Sequence, residues 1–313
     1  HYQPDCHLII LEGRGNQFRR EPYEKDQIMS IRTILAPVRG DGKGESVLDH
    51  ARVVANRFDA HIDVIHARAR DQDLMPYGVL MTASMKQAIL DASSAQSETE
   101  EQRVRDMFNE YCEKAGLTIV DSGALNQTSN TISWREITGK QAGIIGVHGR
   151  LADLIIVPKP GTELGHNTLE SALMNTGSRT LMCPDGPVGK VGDRIALAWN
   201  GSIESARVAK ATLPFLKKAS NVTIVTNDAD GSSSGIPVTD LQRMLARQGV
   251  DTEVLPFNAG DDIGASILGA ASAAITDLLI MGAYSHSRRR EMIMGGATHE
   301  IIEQAELPVL MLH

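Results

Sequence analysis

The stretch Leu278 to Thr298, LLIMGAYSHSRRREMIMGGAT, carries the residues whose types and spacing could do chemistry. An apolar run from Asp277 to Met281 ends in Gly282, a polar loop with three consecutive arginines (Arg288 to Arg290) follows, and Gly295-Gly296 opens a helical segment from Ala297 to Ala305. A strand, a loop that tolerates left-handed backbone and a helix N-terminus together aim backbone N–H groups and the positive end of a helix dipole at one point, which suits a phosphate. The spacing is neither that of the GxxxxGK(S/T) loop nor that of GxGxxG. It fits Gly-x2-Gly-x9-Gly-(Ser/Thr), with Ser285 at the second glycine and Gly296 at the closing hydroxyl.

Catalysis needs a poised base, nucleophile or metal, and no such set accompanies the loop. The chain has no HExxH, no HxGH and no Ser-Gly-Gly-x-Asp-Ser loop. Asp261-Asp262 precede a helical run, where carboxylates serve as caps. The ten histidines are scattered, with His286 and His299 flanking the loop. Cys6, Cys112 and Cys183 form neither a CxxC nor a repeated spacing, so neither a disulfide framework nor a zinc site is expected. The expectation is a binding protein rather than an enzyme, with no catalytic residues and no metal site; incidental slow ATP hydrolysis stays open.

The elements that must position the loop alternate between strand and helix. Thr33 to Val38 reads as a strand ending at Pro37, Ser46 to Phe58 as an amphipathic helix, and Ile62 to Ile65 as a second, parallel strand. Two helices are expected around Gly78 to Ala92 and Glu98 to Ala115, with Gly116 as the stop. Met75, Met81 and Met85 read as core packing. Strands follow at Thr131 to Glu136, Asp153 to Val157 and Thr180 to Met182, with helices at Gln141 to Arg150 and Thr168 to Thr176. Pro184 to Gly192 has two prolines and three glycines and reads as a linker. The scheme then restarts with strands at Arg194 to Trp199, Val222 to Thr226, Thr252 to Leu255 and Asp277 to Met281. Helices are expected at Ser202 to Lys218, Val238 to Gln248 and Asp261 to Ile275, and Pro308 to Leu312 closes as a strand.

The two halves superpose as repeats: Ile34 aligns with Ile195, and Asp153 of Ala-Asp-Leu-Ile-Ile-Val aligns with Asp277 of Thr-Asp-Leu-Leu-Ile-Met. The first half carries its extra residues mainly between Asp71 and Thr131. At 313 residues with 42% hydrophobic content the chain can fill two cores. A net charge of −8 argues against a broad nucleic-acid surface, and no stretch has the roughly 18 apolar residues of a membrane span. The expectation is a soluble, cytoplasmic protein. Residues 1–28 lack periodicity and read as a leader or upstream extension before Met29-Ser30, with a native arm pairing at a sheet edge as the alternative.

The loop, the strand before it and the closing Leu-Pro-Val-Leu strand resemble, in that order, the universal stress protein family. The resemblance implies two tandem flavodoxin-like α/β domains, each a five-stranded parallel sheet flanked by helices, at 29–186 and 193–313. It implies an adenine nucleotide (ATP, ADP or AMP, with Mg admitted beside it) bound for stress sensing or regulation. Carried over by position, Trp199, Asn200 and Gly201 end the first strand of the second domain, with Asn200 where an aspartate usually seats the nucleoside. Val225 and Thr226 lie where backbone meets adenine, and Gly282, Ala283, Ser285, Arg288, Gly295, Gly296, Ala297 and Thr298 line the phosphates. Serine at 285 and glycine at 296 would together weaken binding by roughly 30- to 150-fold. In the first domain Pro158 stands where Gly282 stands in the second, and Pro158 and Pro160 remove two N–H donors, so no nucleotide is expected there. Lys159 and His166 stay as candidate anion contacts. The family also implies a pseudo-dimer within one chain, with Thr180 to Met182 against Pro308 to Leu312, and a homodimer stays open. The alternatives are an interaction scaffold with neither site in use, and an enzyme of unnamed substrate on the same fold.

Overall fold

Near-continuous apolar runs bounded by turns fold as parallel strands buried on both faces. The computed structural model describes residues 30–68, 83–124, 130–161, 166–227, 235–259, 262–283 and 296–313, without the side chains of 83, 86–97, 166 and 167. In the first half the order is β1 (Thr33–Val38), α1 (Gly44–Phe58), β2 (His61–Arg68), α2 (Ala83–Ala115), β3 (Thr118–Ile119), β4 (Thr131–Thr138), α3 (Gln141–His148), β5 (Leu154–Pro158), α4 (His166–Asn175) and β6 (Arg179–Cys183). The second half follows with β7 (Arg194–Trp199), α5 (Ile203–Ala211), α6 (Leu213–Lys218), β8 (Asn221–Asn227), α7 (Val238–Arg247), β9 (Glu253–Phe257), α8 (Ile263–Ala273), β10 (Leu278–Gly282), α9 (Gly296–Gln304) and β11 (Val309–Leu312).

Among the described residues all eleven strands form one sheet, ordered β3-β4-β2-β1-β5-β6-β11-β10-β7-β8-β9. Neighbours are parallel except at the centre, where β11 runs antiparallel to β6 with Leu310 opposite Leu181. The pairing expected of the two closing strands is thus present. Side chains alternate between two cores. Ile34, Ala36 and Val38 of β1 join α1, α2, α5, α6 and α7 on one face, while Leu35 joins α3, α4, α8 and α9 on the other. Ile31–His313 forms one compact unit.

Four expectations are corrected. The first half has six strands, not five, because the short β3 adds to its edge. The two helices expected before Gly116 are one helix of 33 residues, since no glycine or proline interrupts Ala83–Ala115. Gly116 ends it at φ +67. The helix expected from Ser202 to Lys218 breaks at Thr212, where Pro214 in the first turn of α6 has no N–H to continue the ladder. Met85 is 56% exposed rather than packed in a core, and Met75 and Met81 lie outside the described residues. Cys112 and Cys183 are buried free thiols, pushed up by burial to about 11 and about 12; Cys6 and the rest of 1–28 lie outside the described residues.

The halves are locked by cations placed at each other's helix C-termini, where carbonyls lack partners. Arg57 donates to Lys218 O and Gly192 O, both at 2.6 Å, and Lys218 Nζ donates back to Arg57 O at 2.6 Å. Lys159 Nζ donates to Ala305 O at 2.9 Å, past the end of α9, and Arg179 Nε to Ala211 O at 2.6 Å, at the end of α5. Lys159, expected as a candidate anion contact, is therefore a residue of the junction between the halves. His166 has no described side chain.

Candidate functional site

In a parallel sheet the ligand crevice opens where strand order reverses, at the carboxyl ends of the two strands concerned. In the second half those strands are β7 and β10, paired Ile195 to Leu278 and Leu197 to Ile280, with β8 on one side and β11 on the other. Their ends bring Trp199, Asn200 and Gly201 beside Gly282 and Ala283. Val225 and Thr226 lie next door, opposite Ala198 and Trp199 in register.

The turn after β7 is built for close approach. Gly201 has φ +73, and a Cβ there would sit 2.7 Å from Ile236 N and 2.9 Å from Ile236 O. Only glycine lets the 235–237 segment cross at that distance. The crossing is held by Ile236 N donating to Gly201 O (3.2 Å) and by the Trp199 indole donating to Ile236 O (3.1 Å). Trp199 is 6% exposed and packs in the core. Asn200 is exposed, but its Oδ1 accepts from Ser202 N at 3.1 Å, an Asx turn that leads into α5. Ser202 then caps α5, its Oγ accepting from Ser205 N at 3.2 Å.

At the end of β10 a Cβ on Gly282 would lie 2.8 Å from the Cβ and carbonyl carbon of Glu204, so the first turn of α5 rests directly on this glycine. Ala283 is buried and its N–H is taken by Leu312 O at 2.9 Å. It therefore closes the strand rather than offering a phosphate donor. Past the loop, Gly296 is exposed and its nearest neighbour to an added Cβ is Glu300 Oε1 at 3.6 Å. Ala297 is half-buried and Thr298 buried. Val225 is buried and Thr226 half-buried. Ser285, Arg288 and Gly295 lie outside the described residues.

Two of the helices around this crevice, α5 and α8, have side-chain caps on their first turns. Asp262 Oδ1 accepts from Ala265 N at 2.7 Å and caps α8, the role expected of it. That N–H, ahead of neighbouring side chains on Glu300 and Gln304, holds the Asp262 carboxyl below its ordinary range. Glu300 Oε2 accepts from Gly264 N at 2.7 Å, tying α9 to α8. His299 lies on the surface of α9, 3.2 Å from Glu303 Oε1.

Sequence reasoning used Asp277 and Asp153 to align the halves but gave them no role. Asp277 accepts from Gly192 N at 2.7 Å and from Asp193 N and Arg194 N at 3.2 Å, while Asp153 Oδ2 accepts from Arg32 N at 2.8 Å and Thr33 N at 3.0 Å. Each carboxylate thus fixes the start of the first strand of its half. The signal was visible, since both halves carry Asp-Leu at the same place. Among the described residues no cluster of three or more His, Cys, Asp or Glu is arranged to hold a metal, and no helix is long and apolar enough to cross a membrane.

By sequence, no family model and no curated protein matches the chain. By structure it is similar, at a TM-score of 0.66 and 16% identity, to a universal stress protein from Archaeoglobus fulgidus DSM 4304, over 91% of this chain and 97% of that one. A protein of unknown function from Pseudomonas aeruginosa PAO1 superposes with a TM-score of 0.52 at 15% identity, over 91% and 93%. The fold is that of the universal stress proteins, present twice along the chain.

Proposed function

We propose that the chain is a tandem universal stress protein, with domains at 29–186 and 193–313. In this reading it serves stress sensing or regulation without catalysis and holds an adenine nucleotide in the crevice of its second domain. What supports this reading is the β7/β10 switch point, where Gly282 ends its strand, Gly201 turns at φ +73 and α9 begins at an exposed Gly296 with room beside it. At Gly296 no side chain stands between the start of the helix and an approaching phosphate. Mg accompanies the nucleotide only if the triphosphate brings it, since no acidic cluster among the described residues is shaped for an ion.

A second reading is favoured by a specific observation. The first turns of α5 and α8 are capped by Ser202 and Asp262, Asn200 is held by Ser202, and the Ala283 N–H is used. A crevice in which these donors are already paired suits an interaction scaffold. Calorimetric titration with ATP and AMP decides between the two, run beside Gly296→Asp. The aspartate has room for its Cβ and favours a helix N-terminus, so the variant folds while setting a carboxylate against the phosphates. ATP binding weakened at least about tenfold by the substitution supports the nucleotide reading. No heat with millimolar ATP leaves the scaffold.

A further inference from the structure

The two faces of the sheet are finished differently. On the face of α1, α2, α5, α6 and α7 the helices turn charge to solvent, with Arg103, Asp106 and Glu110 exposed on α2 and Asp240, Arg243 and Arg247 on α7. The opposite face, made by α3, α4, α8 and α9, lacks such a coat. The eleven residues of α8 (IGASILGAASA) include no charged side chain, and the eight of α3 (QAGIIGVH) include only His148 as a titratable group. A helix that is apolar all round is ordinarily covered on both sides. Here the outer sides are open, since Val147 on α3 and Ile263, Gly269 and Ala273 on α8 are exposed.

In the first half the open side chains gather at one crossing. Gly146 and Gly149 let α3 and the turn after it run so close to α4 that an added Cβ would lie 3.2 Å from the Asn175 Cβ and 2.8 Å from the Thr176 methyl. Arg150 spans the crossing, its Nε donating to Gly146 O at 2.9 Å and to Asn175 O at 3.3 Å. Val147, Leu151 and Met174, the chain neighbours of these residues, are all exposed, Leu151 by 93%. In the second half Gly264 N donates to Glu300 Oε2 at 2.7 Å, which sets the exposed Ile263 and half-buried Ile267 of α8 beside α9. The two patches differ in sign. α3 and α4 carry Lys140 and Arg150 against Glu170, and among the described residues neither cation has an ion pair, whereas Asp262, Glu300, Glu303 and Glu306 stand on and around α8 and α9, where 262–283 and 296–313 contain no lysine or arginine. The one ion pair among these carboxylates is that of Glu303 with His299, within α9.

We infer that this face binds a second copy of the chain, with α3 and α4 of one copy lying on α8 and α9 of the other. Because β6 and β11 meet antiparallel, the halves are related by a half-turn about the sheet normal, which keeps the four helices in one layer with the basic patch on one side and the acidic patch on the other. A two-fold axis parallel to the sheet that lays the first patch on the partner's second then lays the second on the partner's first, so the contact is made twice in an isologous dimer. Pairing each patch with its own copy would set like charge on like, which opposite charge across the interface avoids. Apolar centres of Val147, Leu151, Met174 and Ile263 with charged rims are the anatomy of such a contact. The dimer does not depend on a nucleotide in the second-half crevice.

Sedimentation equilibrium of the full chain over roughly 1 to 100 µM, without nucleotide, tests this, and a dimer is the expected species in the upper part of that range. Leu151→Glu makes the first patch acidic and Ile263→Lys makes the second basic; each is expected to weaken the dimer at least about tenfold, since each sets like charge on like at both contacts. The double variant exchanges the signs of both patches and is expected to dimerise more tightly than either single variant. Both side chains are exposed, so melting followed by circular dichroism is expected to show folded protein throughout. The wild-type dimer is also expected to loosen as NaCl rises from about 50 to about 500 mM, a readout that needs no variant. A monomer over the whole range, whether another segment of the same chain covers the face or nothing does, overturns the inference. So does a dimer indifferent to both single substitutions, a dimer that salt tightens, or a double variant no tighter than the singles, the outcome expected if each patch meets its own copy. Failure of ATP to bind the second half leaves all of these outcomes readable.

Discussion

Asp63 shows how a single residue couples the sheet to pH. Burial alone would raise its carboxyl, but His61 at 3.6 Å, the Ser133 hydroxyl donating at 2.5 Å and the charge of Arg135 at 3.7 Å together hold it below its ordinary value. A carboxyl whose folded value is depressed gives stability that is fully present above its unfolded value, about 3.9, and is lost as pH falls through the folded one. Asp63→Asn is therefore expected to be less stable than wild type at neutral pH and to lose less on acidification below about pH 4. Urea unfolding at several pH values checks this, and parallel acid limbs would refute it. Such detail was not legible in the sequence, because His61 with Asp63 and Ser133 with Arg135 become one cluster only through the β2 to β4 register. Gly201 and Gly282 were read as ligand residues, and their close packing against Ile236 and Glu204 was not legible, because those partners come together with them only in the fold.

At the scale of elements, the strands and most helices could be read because period and punctuation agree with the tertiary structure, as at β1, β7 and Gly116. The errors fell where local signals were weak. β3 has only two residues, and the Thr212 break lies inside a helical apolar pattern with Pro214 as its one warning. The candidate phosphate loop could be read as a motif, but the capping that decides how many donors remain depends on Ser202 and Asp262 folding back on their helices. The carboxylates that open each half make a sharper test. Asp277→Ala leaves the N–H groups of Gly192, Asp193 and Arg194 without their common acceptor, and a loss of about 2 to 3 kcal/mol is expected by chemical denaturation. A loss under about 0.5 kcal/mol would mean that water replaces the carboxylate there.

For the whole molecule, the repeat could be read in the sequence, whereas the merging of the halves into one sheet and one unit was only partly foreseen. Phe58 of α1 and Phe215 of α6 meet edge to face at 4.6 Å, with Lys218 lying 5.2 Å from the Phe58 ring. Phe215→Ala is expected to cost about 3 to 5 kcal/mol and to lower the melting of both halves together, in a single calorimetric transition. Two separate transitions, with only the later half shifted, would show that the junction does not couple them.

The central antiparallel pair also sets an order in time. Roughly 125 residues of chain separate β6 from β11, so at about 5 to 20 residues per second the edge of β6 stands open for something like 6 to 25 seconds of synthesis before its partner is made. During that interval the first half presents an apolar strand whose sequence suits pairing with any similar edge nearby, including the β6 of another nascent copy. The join that gives the finished molecule its continuity is, on the ribosome, the step most exposed to chaperone capture and to exchange of halves between neighbouring chains.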